Sequence, residues 1–273
     1  MSIDGLLLLA DWAGRQALVG FVLLLLALLC GIAVRGRLWQ RPVWPRTPDG
    51  PPRPARLVLG LVAGFALLLG AASVFAEIAE HLIDGTGMAR FDEALSLALR
   101  AHTAPLTLQV FRALTRLGDA VVLVPLTAAV ALLRWWRGRA ALALAWLLAL
   151  GGNALLIALL KRIFERARPL HDHGLLNEPG FSFPSGHAAG ATVVYGMLAY
   201  LALRVLPPRW HGPVLMLAGA LAFTVGSSRV FLQVHYASDV LAGFAWGAAW
   251  LAVCVLSVEL SRRWRRRTWA AAG

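Results

Sequence analysis

His235 and Asp239 stand four residues apart in Ser228-Arg229-Val230-Phe231-Leu232-Gln233-Val234-His235-Tyr236-Ala237-Ser238-Asp239, which runs into a long apolar stretch. On a helix that spacing predicts one shared face. The carboxylate then accepts from one imidazole nitrogen and leaves the other as a lone-pair nucleophile. Arg229 adds a planar fork that suits phosphate-type oxygens. A charged pair at the edge of an apolar span is costly, so it marks either a working site or an ion pair that stitches helix ends together.

Two further clusters combine anion-binding groups with titratable ones. In Lys161-Arg162-Ile163-Phe164-Glu165-Arg166-Ala167-Arg168-Pro169, Lys161 is the only lysine of the chain, a compact ammonium where every other cation is a guanidinium. Arg168, seven residues on, is predicted to share its helical face, with the helix ending before Pro169. Two cations on one face make an oxyanion clamp. Snorkelling of outer-flank cations to headgroups explains the same residues, and Arg162 and Arg166 are assigned to it. In Phe183-Pro184-Ser185-Gly186-His187, proline suits a first helical turn. The free N–H groups of that turn bind an anion, Ser185 adds a hydroxyl, and Gly186 permits close backbone approach. His187, one turn in, is placed to hand a proton to a leaving oxygen. Taken alone, this segment is also an ordinary capped helix start.

The elements that position these clusters follow from apolar run length. With 59% hydrophobic residues and a mean hydropathy of +0.69, the chain carries more apolar surface than a soluble domain of its size buries. Crossing a bilayer takes about 20 apolar residues. Seven spans are predicted, at Ala17–Val34, Leu57–Ala76, Ala120–Leu133, Ala140–Leu160, Ala188–Leu206, Pro213–Phe231 and Ala237–Val258, with the third extending back through Leu117. The fold class is therefore all-α, a polytopic membrane helix bundle. Between the second and third spans, Arg90 to Gly118 alternates apolar and charged residues at helical spacing. It is predicted to lie along the interface or to pack as a solvated helix on the core.

Alternate connections hold sixteen basic and two acidic residues on one side, against ten and twelve on the other. By the excess of Lys and Arg in cytoplasmic loops, the N-terminus and all three clusters face out and the C-terminus faces in, in an inner-membrane protein. The formal charge of +12 thus reports topology and excludes a nucleic-acid face. Gly36 to Arg56 holds six of the 14 prolines and separates an accessory segment, residues 1–56, from a core at 57–260 and a basic tail at 261–273. Cys30 and Cys254 sit in apolar runs, where neither a disulfide nor a thiolate metal site is expected. His171 and His173 lie in a loop without a complete metal-ligand set. No cofactor is expected.

In order, Lys-x6-Arg-Pro, Pro-Ser-Gly-His and Ser-Arg-x5-His-x3-Asp resemble the three-part signature of the type 2 phosphatidic acid phosphatase superfamily, and every signature position matches. The resemblance covers about Phe91 to Val258. It implies an all-helical, metal-independent lipid phosphate phosphatase acting on phosphatidate, phosphatidylglycerol phosphate, undecaprenyl diphosphate or a phosphorylated lipid A. By the same resemblance Lys161, Arg168, Ser185, Gly186 and Arg229 hold the phosphoryl oxygens. His235 forms a phosphohistidine, Asp239 orients it, and His187 protonates the leaving group. The competing expectations are a lipid-phosphate binding or transport protein that does not turn over, and vanadate-dependent halide oxidation in the same pocket.

Overall fold

The computed structural model describes residues 3–40, 54–83, 87–169 and 178–272. The centre of the proline-rich linker and His171, Asp172 and His173 lie outside them. Among the described residues all regular structure is helical: α1 Ile3–Arg15, α2 Ala17–Gln40, α3 Pro54–Ile83, α4 Gly87–His102, α5 Pro105–Thr115, α6 Ala120–Trp136, α7 Ala140–Phe164, α8 Gly186–Leu203, α9 His211–Phe231 and α10 Ala237–Ala272.

Among the described residues seven stretches are long and apolar enough to cross a membrane, and each overlaps one predicted span. The second lies further along the chain, at Gly64–His81, and the third differs most in extent. It runs from Pro105 through α5 and a single 3-10 turn into α6, ending at Trp136. The segment predicted as one interfacial unit therefore divides at Thr103 and Ala104. Pro105 opens α5, where its missing N–H costs nothing. Only α4 remains as the helix between spans, and it packs inward through Asp92, Ser96, Ala98 and Leu99. Large apolar side chains such as Leu106, Val121 and Leu155 stay exposed on the outside of the bundle, as surfaces that face lipid do.

Small residues set the closest helix approach. A Cβ on Gly243 of α10 would stand 2.6 Å from the Ser185 carbonyl oxygen, and one on Gly247 would stand 2.9 Å from the Ala189 carbonyl oxygen. This Gly-x3-Gly face lets α10 lie against the backbone of α8, the packing that membrane helices use where no hydrophobic force draws them together. Trp146 of α7 fills the space beside Val193 and Met197 of α8. On the other flank, Phe111 stacks on Phe231 with centroids 4.3 Å apart, and Phe21 of α2 meets Phe111 edge-on at 5.2 Å. The first apolar helix is thus docked on the core. Next to it, α1 lies so close to α4 that a Cβ on Gly14 would stand 2.3 Å from the Ala98 Cβ.

The glycine contacts give a direct test of this packing. Gly243→Ala forces α8 and α10 apart at a cost of about 1–3 kcal/mol. It is expected to lower the melting temperature in detergent by several degrees, with loss of activity. Gly151→Ala meets nothing within 4 Å and is expected to leave both unchanged.

Candidate active site

The C-terminal ends of α7 and α9 meet the N-terminal ends of α6, α8 and α10 at one end of the bundle, around a cavity of about 410 Å³. Lys161, Arg168, Gly186, His187 and His235 line it, with Glu178, Gly180 and Phe181 from the loop before α8.

His235 is not on a helix. Helix α9 ends at Phe231, Gln233 takes a left-handed φ of 58°, and α10 begins only at Ala237. The i to i+4 pairing survives for a different reason: Asp239 sits in the first turn of α10 and folds back over its start. Its Oδ2 accepts the Tyr236 N–H at 3.0 Å and faces His235 Nδ1 at 3.3 Å, in the manner of a capping box. The other ring nitrogen, Nε2, lies 3.3 Å from Arg168 Nη1. Burial dominates at His235 and, against the opposing pull of Asp239, drives its pKa down to about 4, so the ring is neutral around pH 7.

Lys161 and Arg168 do not share a helical face, because α7 stops at Phe164 and Glu165 turns left-handed at φ 46°. The extended chain that follows brings Arg168 back to the cavity. Its Nε donates to the Gly180 carbonyl at 3.0 Å and its Nη1 to the Val234 carbonyl at 2.7 Å. Lys161 Nζ donates to the Phe181 carbonyl. Both cations are thus aimed by backbone oxygens of the neighbouring loops.

Ser185 caps α8 and is fully buried, its Oγ accepting from the Ala188 N–H at 3.4 Å, while its own N–H donates to the Asp239 carbonyl at 2.9 Å. Pro184 stands ahead of this cap on a cis bond from Phe183, not in the first turn. Gly186 begins the helix beside the cavity. A Cβ there would make only an ordinary 3.5 Å contact with Ile157, so packing does not require its small size. Arg229 is fully buried beneath. It donates from Nη1 to Thr115 Oγ1 at 2.9 Å and from Nη2 to Glu178 Oε1 at 2.5 Å, and its Nε has no protein partner. Burial raises the Glu178 pKa, but the Arg229 charge outweighs it and holds the carboxyl below its ordinary value.

Four groups escaped the sequence analysis. Asp119, at the N-cap of α6, accepts from His187 Nε2 at 2.8 Å, so both histidines are paired to carboxylates, through opposite ring nitrogens. An acid directly before an apolar run was the available signal. Arg166, assigned to the headgroup layer, instead turns inward. Its Nη1 donates to Asp239 Oδ1 at 2.6 Å and its Nη2 to Asp92 Oδ2 at 2.8 Å. Asp92, 2% exposed, falls on the same α4 face as Ser96 and Leu99, where an acid among core positions was the clue. Glu178 carried no signal.

Chemically, the cavity offers a neutral imidazole with one nitrogen pinned to a carboxylate, a second imidazole–carboxylate pair, cations from α7 and the chain that follows it, with Arg229 buried behind them, and a helix N-terminus. These are the components of a phosphoryl-transfer site that depends on electrostatic clamping.

Residues 140–263 match the model of the PAP2 superfamily. Over 159 residues the chain is 38% identical to phosphatidylglycerophosphatase B of Bacillus subtilis strain 168, an alignment that covers 57% of this chain and 77% of that protein. Lipid A 1-phosphatase of Rhizobium johnstonii is 41% identical over 105 residues, 35% of this chain and 39% of that one. The crystal structure of a transmembrane PAP2 type phosphatidylglycerolphosphate phosphatase from Bacillus subtilis superimposes with a TM-score of 0.62 at 33% identity, over 72% of this chain and 96% of that one. With the three motifs gathered at one cavity and relatives of this kind, the chain belongs to the PAP2 superfamily and is an integral membrane lipid phosphatase.

Proposed function

We propose that this phosphatase releases phosphate from a glycerophospholipid phosphate monoester of the phosphatidylglycerol phosphate type, through a phosphohistidine on His235, on the extracytoplasmic face. The observation that carries the mechanism is the His235 ring, with Nδ1 against Asp239 and Nε2 beside Arg168 at the cavity. The names of the Bacillus relatives support the substrate class, and the asymmetry of loop arginines supports the face.

In this mechanism Lys161, Arg168, Arg229 and the amides at the start of α8 hold the equatorial phosphoryl oxygens. The phosphate takes the place of the Glu178 carboxylate against Arg229. His235 Nε2 attacks phosphorus, forming the N–P bond as the bond to the lipid oxygen breaks. That oxygen takes a proton from His187 Nδ1, the nitrogen that Asp119 leaves free. Water then attacks the phosphohistidine and His187 takes its proton. The N–P bond breaks to release phosphate and neutral His235.

Three measurements test this reading. His235→Ala, purified and folded in detergent, is expected to lose about 10⁴-fold or more of the phosphate release from phosphatidylglycerol phosphate; the wild type is expected to yield an acid-labile phosphoenzyme and to be unaffected by chelator. Substantial turnover by the variant would overturn the assignment, and faster release from undecaprenyl diphosphate or lipid A phosphate would reassign the substrate. Because the folded pKa of His235 lies below its ordinary value, the neutral ring persists as pH falls. Its ¹⁵N signals are expected to remain those of neutral imidazole from pH ~8 down to ~5, whereas a midpoint near 6.5 would contradict the buried geometry. For topology, in a background lacking Cys30 and Cys254, cysteine at His102 is expected to react with an impermeant maleimide on intact cells, and cysteine at Arg209 only after permeabilisation. The reverse pattern would place the site inside.

A further inference from the structure

We infer that Asp92 and Arg166 are positioning residues for the phosphohistidine step, which makes α4 part of the catalytic apparatus although it contributes nothing to the three sequence motifs. The inference rests on His235 being the nucleophile.

Two turns of α4 grip the loop that carries His235 from both sides. Ser96 Oγ donates to Gln233 Oε1 at 2.5 Å, two residues before the histidine. Tyr236 OH donates to Glu93 Oε2 at 2.8 Å, one residue after it. Asp92 Oδ1 accepts the Ser238 N–H at 3.2 Å, and its Oδ2 accepts the Ser238 hydroxyl. Arg166 closes this arrangement. Its guanidinium lies 4.3 Å over the Tyr236 ring and donates to Ser238 Oγ at 2.7 Å, besides spanning Asp92 and Asp239.

The geometry divides the two oxygens of Asp239. Arg166 holds Oδ1, which fixes the carboxylate plane and leaves Oδ2 turned toward His235 Nδ1. Charge is divided as well. When Nε2 bonds to phosphorus, its lone pair enters the new bond and the ring, with a proton on Nδ1, becomes cationic. Asp239 is the carboxylate that faces this new charge. Arg166 paired with Asp239 alone would neutralise it, in a setting where opposite charges in contact interact strongly. Asp92, 2% exposed and 2.8 Å from the guanidinium against 2.6 Å for Asp239, shares the Arg166 charge and leaves Asp239 effectively anionic. The phosphate-holding side chains Lys161, Arg168 and Arg229 make no hydrogen bond to Asp92. Loss of the Asp92 charge therefore acts on the step in which the ring becomes charged, not on binding.

Asp92→Asn in the full-length protein keeps the side-chain shape and removes the charge. It is expected to lower kcat about 10- to 100-fold with KM held within about threefold, and to slow phosphoenzyme formation in single-turnover experiments to the same extent. A folded Asp92→Asn with wild-type kcat, or one altered in KM alone, overturns the inference. Should that variant not accumulate folded, Arg166→Lys keeps the positive charge but spans only one carboxylate. A fall in kcat at steady KM then supports the inference, and an unchanged kcat overturns it. His235→Ala is measured alongside: turnover by that variant removes the nucleophile assignment itself, whereas inactivity of His235→Ala with full activity of Asp92→Asn removes only the role given to α4.

Discussion

The structure depends above all on the burial of one carboxylate. Asp239 is fully buried, and an ionised group withdrawn from water must find its partners in the protein. It finds them on three sides: the Arg166 guanidinium at Oδ1, and the Tyr236 N–H and the His235 ring at Oδ2. Its backbone carbonyl also accepts from Ser185. Satisfying this single residue therefore ties the start of α10 to the cap of α8, to the extended chain after α7 and, through Arg166 and Asp92, to α4. The approach of α10 to α8 at Gly243 and Gly247 is what permits that meeting.

Helix ends supply the rest of the site. The N-terminus of α8 brings its positive dipole end to the cavity at Gly186 and His187, favouring an anion, whereas the first amides of α10 are taken by Asp239 and Asp92. The C-terminal ends of α7 and α9 would oppose it, and they are the ends that carry Lys161 and Arg229. Carboxylates are then placed to aim the histidines. Glu178 stands apart from that scheme: it occupies one arm of Arg229, an anion already seated where the proposed mechanism seats phosphate.

The N-terminal helices α1 and α2 are joined physically to the rest of the bundle. Phe21 of α2 packs into the aromatic cluster that includes Phe111 and Phe231, and α1 lies along α4 at Gly14. Since α4 grips the loop of His235, the N-terminal helices support an element in direct contact with the site, although the match to the family model begins only at residue 140.

The sequence by itself determined the all-helical class, seven spans and the three motifs, because run length and residue type are local properties that a bilayer and a phosphate impose directly. It also named the cavity residues Lys161, Arg168, Gly186, His187 and His235, but its geometric reasons for Arg168 and His235 were wrong. Arg168 reaches Lys161 through a left-handed turn at Glu165, and His235 meets Asp239 across a helix start; regular helical spacing continues through neither break. Only the tertiary structure decided the partners. Asp119, Asp92 and Glu178 lie 68, 74 and 51 residues from the groups they hold, so no periodicity links them. Arg166 shows why most clearly. An arginine beside an apolar span looks alike whether it faces headgroups or the interior, and only the location of two buried carboxylates settles which way it turns.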